Sequence, residues 1–224
     1  MQTAVDSVQH RRVQTSATPP AGFEFTCPPD EEMVIVDWSG ITMEEKVSPQ
    51  DVTLDNGMVV TLTTSTTGTA EIAQYKKIPE GIIFTAAVKN PTDDYVIPKD
   101  PTVTMDYPES FITLEIKLPT KLKDLFISVG DVDSTSVISD ATRIRFYDDG
   151  NELPMQVASN SDDVKQQGNW AYNQRVGAAV SNPGYDHSLY AKTMGYVDTI
   201  RLDQSVLIFP DKYTTLPSKT GLRG

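Results

Sequence analysis

The sequence has one cysteine, two histidines, few basic residues and no long apolar segment, and each shortage excludes a class of protein. The lone Cys27 cannot form a disulfide within the chain, which excludes a disulfide-stapled fold. The longest purely apolar runs, Met33–Val36 and Val206–Phe209, have four residues. A bilayer-spanning helix needs roughly 20, so we expect no membrane insertion. The net charge of −12 argues against a nucleic-acid partner, because phosphates attract basic surfaces.

Motifs for catalysis and for zinc binding are also scarce. The histidines are His10, near the start of the chain, and His187, and the sequence has no Gly-x-Ser-x-Gly motif and no glycine-rich phosphate loop. Zinc needs several histidine or cysteine ligands at suitable spacing, which these residues do not provide. Among 31 acidic residues, nothing singles out a catalytic pair. We therefore expect a protein that is not an enzyme.

Residues that favour strands dominate the composition. Threonine, valine and isoleucine number 25, 21 and 14, whereas alanine and leucine number 13 and 12. Branching at Cβ restricts a side chain in a helix and packs well on a pleated sheet. The composition therefore predicts an all-β protein. A length of 224 residues predicts one domain with terminal extensions, or at most two small domains.

Nine segments have the apolar pattern of short strands. They are Met33–Asp37, Met58–Thr64, Ile82–Lys89, Phe111–Leu118, Leu125–Val129, Thr142–Tyr147, Met155–Ala158, Val197–Leu202 and Val206–Phe209. The clearest alternation lies in 111–118, where every second residue is apolar, as in a strand with one buried face. In 142–147, the same period predicts that Ile144 and Phe146 face the core. The side chains expected to face solvent in that strand are Arg143, Arg145 and Tyr147.

Turn residues separate several of these strands. Asp55-Asn56-Gly57 precedes one strand and Asp148–Asn151 separates two others, and both contain residues that tolerate positive φ. We expect hairpin turns at both places. The best helical candidates are two short segments, Glu71–Lys77 and part of Asp162–Arg175, which we expect to decorate the sheet.

Short strands without interleaved helices predict an antiparallel β-sandwich of jelly-roll or Greek-key type over residues 27–210. Residues 1–26 are mostly polar, lack an apolar stretch of signal-peptide length, and are interpreted as an extended N-terminal arm. Residues 211–224 form a C-terminal tail. Such segments become ordered when they lie on neighbouring subunits, although loose ends are the alternative. The basic residues expected to act in assembly are Arg11, Arg12, Lys212, Lys219 and Arg223.

The second half of the sequence resembles a known family of extracellular domains. The string Leu125–Ser134, followed by the strand Thr142–Tyr147 and then Asp148-Asp149-Gly150, is similar to a segment of bacterial jelly-roll domains of the galactose-binding-like kind. These include the secreted domains of exosortase-sorted proteins. The last strand pair, Tyr196–Phe209, resembles their closing strand. The resemblance covers roughly residues 110–210 and concerns the fold, which does not fix a function.

This resemblance implies a candidate calcium site. Such domains place acids at a strand end, in some cases near Ca²⁺, and the matching positions here are Asp131 and Asp133. Asp140 and backbone carbonyls supply further oxygen ligands in this hypothesis, since Ca²⁺ takes six to eight oxygens. The spacing is not that of an EF-hand. In the alternative interpretation, the aspartates cap a turn through their own backbone amides. No other cofactor is expected.

A second candidate site is a segment rich in aromatic residues, set among amides and acids. Its members are Trp170, Tyr172, Tyr185, His187 and Tyr190. Rings contact the apolar faces of sugars while amides and carboxylates bind the hydroxyls, so the pattern predicts a glycan-binding surface. The alternative is that these rings seal the edge of the sandwich or a subunit contact, where aromatic residues are enriched.

The overall composition and architecture look like those of a structural protein of a tailed bacteriophage. Such proteins need neither a signal peptide nor disulfides, and many are acidic, threonine-rich sandwiches with extended termini. The resemblance implies a virion subunit, either a head decoration protein or part of the tail or its fibre. Its partners are copies of itself and other virion proteins, with exposed loops available for a glycan on the host surface. The competing hypothesis is an extracellular protein, a secreted carbohydrate-binding module or adhesin.

Overall fold

The computed structural model describes residues 20–23, 38–78, 81–88, 97, 108–130, 132–134, 138–175, 187–209 and 222–223. Over these residues the protein is all-β with antiparallel sheets, as the composition predicts. A short 3-10 helix, Trp38–Gly40, precedes the strands. The strands are β1 Gln50–Thr53, β2 Val59–Thr67, β3 Ala70–Ile78, β4 Gly81–Val88, β5 Phe111–Lys123, β6 Phe126–Val129, β7 Ile138–Asp148, β8 Asn151–Glu152, β9 Met155–Ser159, β10 Val164–Gln167, β11 Trp170–Asn173, β12 Leu189–Thr193, β13 Tyr196–Ile208 and β14 Leu222–Arg223. Within the described ranges, no helix has the length and apolar character needed to cross a membrane.

The strands form one eight-stranded sheet and two three-stranded sheets. The large sheet has the order β1-β2-β5-β13-β7-β11-β10, and β8 pairs with β7. The small sheets are β6-β12-β9 and β14-β4-β3. From β5 onward the chain passes repeatedly between the large sheet and a small one, so that β13 lies between β5 and β7. Neighbouring strands that are not consecutive in sequence are a feature of Greek-key sandwiches.

One face of the large sheet packs against both small sheets. The alternation predicted in β5 is confirmed, since the four apolar residues of the predicted inner face are buried: Ile112, Leu114, Ile116 and Leu118. The same core contains Tyr75 of β3 and Phe84 of β4, whose rings meet edge to face with centroids 5.9 Å apart. It also contains Leu189 of β12. The two layers therefore share one apolar core.

Both predicted turns are confirmed. At the first, the Gly57 amide donates a hydrogen bond to the Leu54 carbonyl at 2.8 Å, and Gly57 has a φ of 82°. At the second, Asp149 and Gly150 have φ values of 49° and 80° and join β7 to β8. Two successive left-handed residues match the right-handed twist of the strands that they connect.

The prediction of a helix over 71–77 is wrong, because these residues belong to β3. The pairing of β3 with β4 shifts register between Ile72 and Gln74, which marks a bulge in β3. A bulge inserts an extra residue and breaks the alternation of period two. The apolar residues at positions 70, 72, 73 and 75 therefore follow a spacing that resembles a helix.

Three other segments differ from their sequence predictions or lie outside the described residues. The helical candidate Asp162–Arg175 contains the hairpin of β10 and β11, with Gly168 at a φ of 58° in its turn. The segments 197–202 and 206–209, predicted as two strands, lie largely in the single strand β13, because the polar residue Asp203 between them is part of the strand. The predicted strand Met33–Asp37 lies outside the described residues.

The second face of the large sheet is not an ordinary solvent-facing surface. Ile144 and Phe146 of β7 face the core, as predicted. Tyr147, expected to face solvent, is buried, and the side chains of Arg143 and Arg145 are only 17% exposed. Alternation gives the side of the sheet on which a residue lies. It does not reveal whether that side meets water.

Candidate functional site

A buried ion cluster occupies the centre of the second face. The carboxylate of Asp203, in β13, is fully buried and accepts a hydrogen bond from the Thr113 hydroxyl at 2.6 Å. It also accepts from Arg143 Nε, and Arg145 Nη2 lies as close, both at 2.7 Å. The strand register causes this convergence, because Asp203 is paired with Thr113 on one side and Arg143 on the other. A carboxylate removed from water requires partners of this kind.

Aromatic rings cover the arginines of this face. The guanidinium of Arg143 lies over the rings of Phe111 and Trp170, at 5.0 and 4.6 Å from their centroids. Further along the face, Arg201 Nε donates to Glu115 at 2.7 Å, and its guanidinium lies 4.7 Å from the Tyr147 centroid. These cations are therefore already paired with carboxylates and stacked on rings. We interpret the cluster as a stabilising element of the fold.

The glycan-binding surface predicted from the aromatic residues is corrected by the structure. Trp170 is only 1% exposed, and Tyr172, His187 and Tyr190 are also buried. A ring that stacks on a sugar must present its face to solvent, which these rings do not. Burial instead raises the pKa of the Tyr172 and Tyr190 hydroxyls. The alternative interpretation, in which the rings are buried in the sandwich, holds for these four residues, and Tyr185 lies outside the described ranges.

His187, a member of the predicted glycan-binding surface, contacts Asp133 of the predicted calcium site. Its Nδ1 is 3.3 Å from Asp133 Oδ1, and its Nε2 is 3.7 Å from Asp163 Oδ2. Arg175 Nη1 is 3.3 Å from the same Asp163 oxygen. Because the carboxylates approach opposite nitrogens of the ring, the three side chains do not converge on one point. The arrangement links three connections between strands, and among the described residues these side chains are not placed to share one metal ion.

The calcium hypothesis remains a prediction. Asp131 lies outside the described residues. The Asp140 amide donates to the Asp133 carbonyl at 2.9 Å, so the backbones of these two residues are adjacent. Within the described part of the chain, however, neither carboxylate belongs to the group of acids that lie close enough together to share an ion.

That group of acids lies beside the turn between β7 and β8 and was not predicted. Ligand oxygens of Asp148, Asp149 and Asp198 lie within 4.8 Å of one another. The ammonium of Lys121, in β5, is 2.5 Å from Asp148 Oδ1 and 2.6 Å from Asp149 Oδ2, and these contacts raise its pKa. The lysine thus provides the counter-charge, and the grouping is explained without a metal. Lys121, Asp149 and Asp198 border an open groove of about 520 Å³.

We expect the substitution Asp198→Asn to reduce the loss of stability in acid. Hydrogen bonds from the Thr199 hydroxyl and the Asp149 amide, both at 2.6 Å, lower the pKa of Asp198 below its ordinary value of 3.8. A carboxyl group whose pKa is lower in the folded state stabilises the fold fully above its unfolded pKa, and this contribution disappears as the pH falls through the folded pKa. Because Asp198 is close to solvent, screening limits the effect to below about 1 kcal/mol.

Urea unfolding of both proteins at about pH 7, 4 and 2.5 measures this contribution, since the range brackets the titration of a carboxyl group. The wild type should exceed Asp198→Asn in unfolding free energy at neutral pH, and the difference should close in acid. A difference that stays constant over the whole range contradicts the assignment of this role to the carboxylate.

Parts of both terminal segments contact the sandwich. Phe23 of the arm is buried, with its ring centroid 6.1 Å from that of Phe126 and the Lys192 ammonium 4.6 Å above it. In the tail, β14 pairs with the last two residues of β4. Packing therefore extends beyond the predicted domain limits of 27 and 210 at both ends. Of the predicted assembly residues, Arg223 belongs to β14, and those outside the described ranges are Arg11, Arg12, Lys212 and Lys219.

No family model, no curated protein and no solved structure matches this chain. The resemblances to galactose-binding-like domains and to bacteriophage proteins therefore stay hypotheses.

Proposed function

We propose that the chain is a non-enzymatic structural subunit of a bacteriophage particle, a head decoration protein or a part of the tail or its fibre. It assembles with copies of itself and with other virion proteins through its arm and tail. The observation that carries the proposal is that the tail supplies a strand, β14, to the edge of β4. A terminal strand makes the same backbone hydrogen bonds on its own body and on that of an identical neighbour.

The arm supports the same function. Phe23 anchors its end on the sandwich through Phe126, and residues 1–19 precede this anchor. At about 3.3 Å per extended residue, a segment of that length reaches up to about 60 Å, far enough to contact a neighbouring subunit. Arg11 and Arg12 of the arm are suited to binding an acidic partner surface. A second copy of this chain, with its net charge of −12, offers such a surface.

The competing function, a secreted carbohydrate-binding module or adhesin, depended on exposed aromatic rings. Trp170, Tyr172 and Tyr190 are buried, so the predicted stacking surface is missing from the residues that the structure describes. We therefore prefer the assembly function.

Light scattering at several protein concentrations tests the proposal, comparing the full chain with chains that lack residues 1–19 or 211–224. The first truncation keeps Phe23, and of the described residues the second removes only the short β14, so we expect both variants to stay folded by circular dichroism. The full chain, 24.7 kDa as a monomer, should form an oligomer or polymer, and each truncation should shift the mass toward that of a single truncated chain. A full chain that is monomeric at every concentration contradicts the proposal, and so does a doubly truncated chain that assembles as before.

A further inference from the structure

One end of the large sheet exposes large apolar side chains. Met194 and Tyr196, on either side of Gly195 in the turn between β12 and β13, are 71% and 56% exposed. They are the most exposed large hydrophobic side chains among the described residues. Val59, at the start of β2, is exposed too, and the registers of β2 and β13 against β5 place it at the same end of the sheet. Large apolar side chains exposed at one end of a sheet are the feature expected of an interaction surface.

The turn that carries these side chains is held in one conformation. The Asp124 amide donates to the Gly195 carbonyl at 2.8 Å, and the Gly195 amide donates to Asp124 Oδ1 at 2.7 Å. Gly195 has a φ of 113°, a backbone conformation that favours glycine. A patch on a constrained turn loses little conformational entropy when a partner covers it.

Charges of both signs border the apolar centre. Lys123 is paired with Tyr196 in the strand register, and Lys121 lies two residues before it in β5. The acids Asp124 and Asp149 lie beside these lysines, with 3.9 Å between Lys123 Nζ and Asp124 Oδ2. Two copies of a chain with a net charge of −12 repel each other in general, so they approach most easily where basic and acidic groups are mixed.

We propose that the patch formed by Val59, Met194 and Tyr196 is a contact between two copies of this chain. The proposal rests on the proposed function as an assembling subunit and adds a contact to those of the arm and tail. A two-fold axis through the patch places the apolar centre of one copy on that of the other, with a border in which lysines are already neutralised by aspartates of their own chain. Methionine and tyrosine are enriched at the centres of such interfaces.

Light scattering and sedimentation of Met194→Glu and Tyr196→Glu test the contact, because a buried carboxylate at its centre opposes association. We expect each variant to weaken association by tenfold or more. The control is Val47→Glu, which adds the same charge at an exposed apolar residue outside the patch and should leave association unchanged. Both patch positions are exposed, so the variants should fold.

As an independent measurement, Met194→Cys is combined with Cys27→Ser and oxidised. A disulfide-linked dimer is expected, because residues near a two-fold axis meet their own copies. The proposal is overturned if the glutamate variants associate like the wild type or if no linked dimer forms. If only truncation of the arm or tail reduces the mass, the patch is excluded and the proposed function stands. If the full chain is monomeric, both fail.

Discussion

Replacing Asp203 by alanine should lower the free energy of unfolding by about 3–5 kcal/mol, because it removes one partner of a buried ion cluster. The carboxylate is fully buried and holds two arginine side chains and the Thr113 hydroxyl at 2.6–2.7 Å. Without it, the guanidiniums of Arg143 and Arg145 remain side by side at the centre of the large sheet with no negative charge between them. A loss of that size is a large part of the stability of a typical domain.

Urea unfolding at neutral pH measures the effect, and two further variants identify its cause. Asp203→Asn keeps most of the volume and removes the charge, so it should also be strongly destabilising. Asp51→Asn is the control on the same sheet: this exposed carboxylate accepts a single hydrogen bond from Thr61, at 2.7 Å, and its loss should cost below about 1 kcal/mol. An Asp203→Ala protein within about 1 kcal/mol of the wild type would show that the cluster does not stabilise the fold.

The cluster also marks the limit of what alternation predicts. The pattern in 142–147 correctly places Ile144 and Phe146 in the core, and it assigns Arg143 and Arg145 to the opposite face. It does not show that β13 lies next to β7 and brings Asp203 between them, because strand order is a property of the whole fold. Alternating arginines in one strand and an aspartate in another indicate a cross-strand ion pair only when the two strands are known to be neighbours.

The same reasoning applies to the candidate sites. Because Asp133 and His187 are 54 residues apart, the sequence assigns them to different sites, whereas their side chains lie 3.3 Å apart. Their proximity comes from the pairing of β12 with β6, which brings the connections that flank these strands together. The β3 error has a more local cause. A bulge changes the spacing of buried residues within one strand, and composition alone cannot locate it.

Trp170 provides the second large expected effect. Trp170→Ala should lower the free energy of unfolding by about 3–5 kcal/mol, as for other buried tryptophans. The ring packs edge to face on Phe111, with centroids 5.9 Å apart, and supports the Arg143 guanidinium. It also belongs to a separate apolar cluster on the second face that includes Leu207 and Phe209. Truncation leaves a cavity there and removes a cation–π contact from an arginine of the buried ion cluster.

Urea unfolding followed by circular dichroism measures this loss, with Trp38→Ala as the matched control. Trp38 is the other tryptophan of the chain and is only partly buried against the main core, so its truncation should cost clearly less. The comparison also decides between the two interpretations of the aromatic residues. A stable Trp170→Ala protein that had lost binding to a surface glycan would favour a sugar-stacking role. A destabilised one shows that the ring stabilises the second face of the sheet.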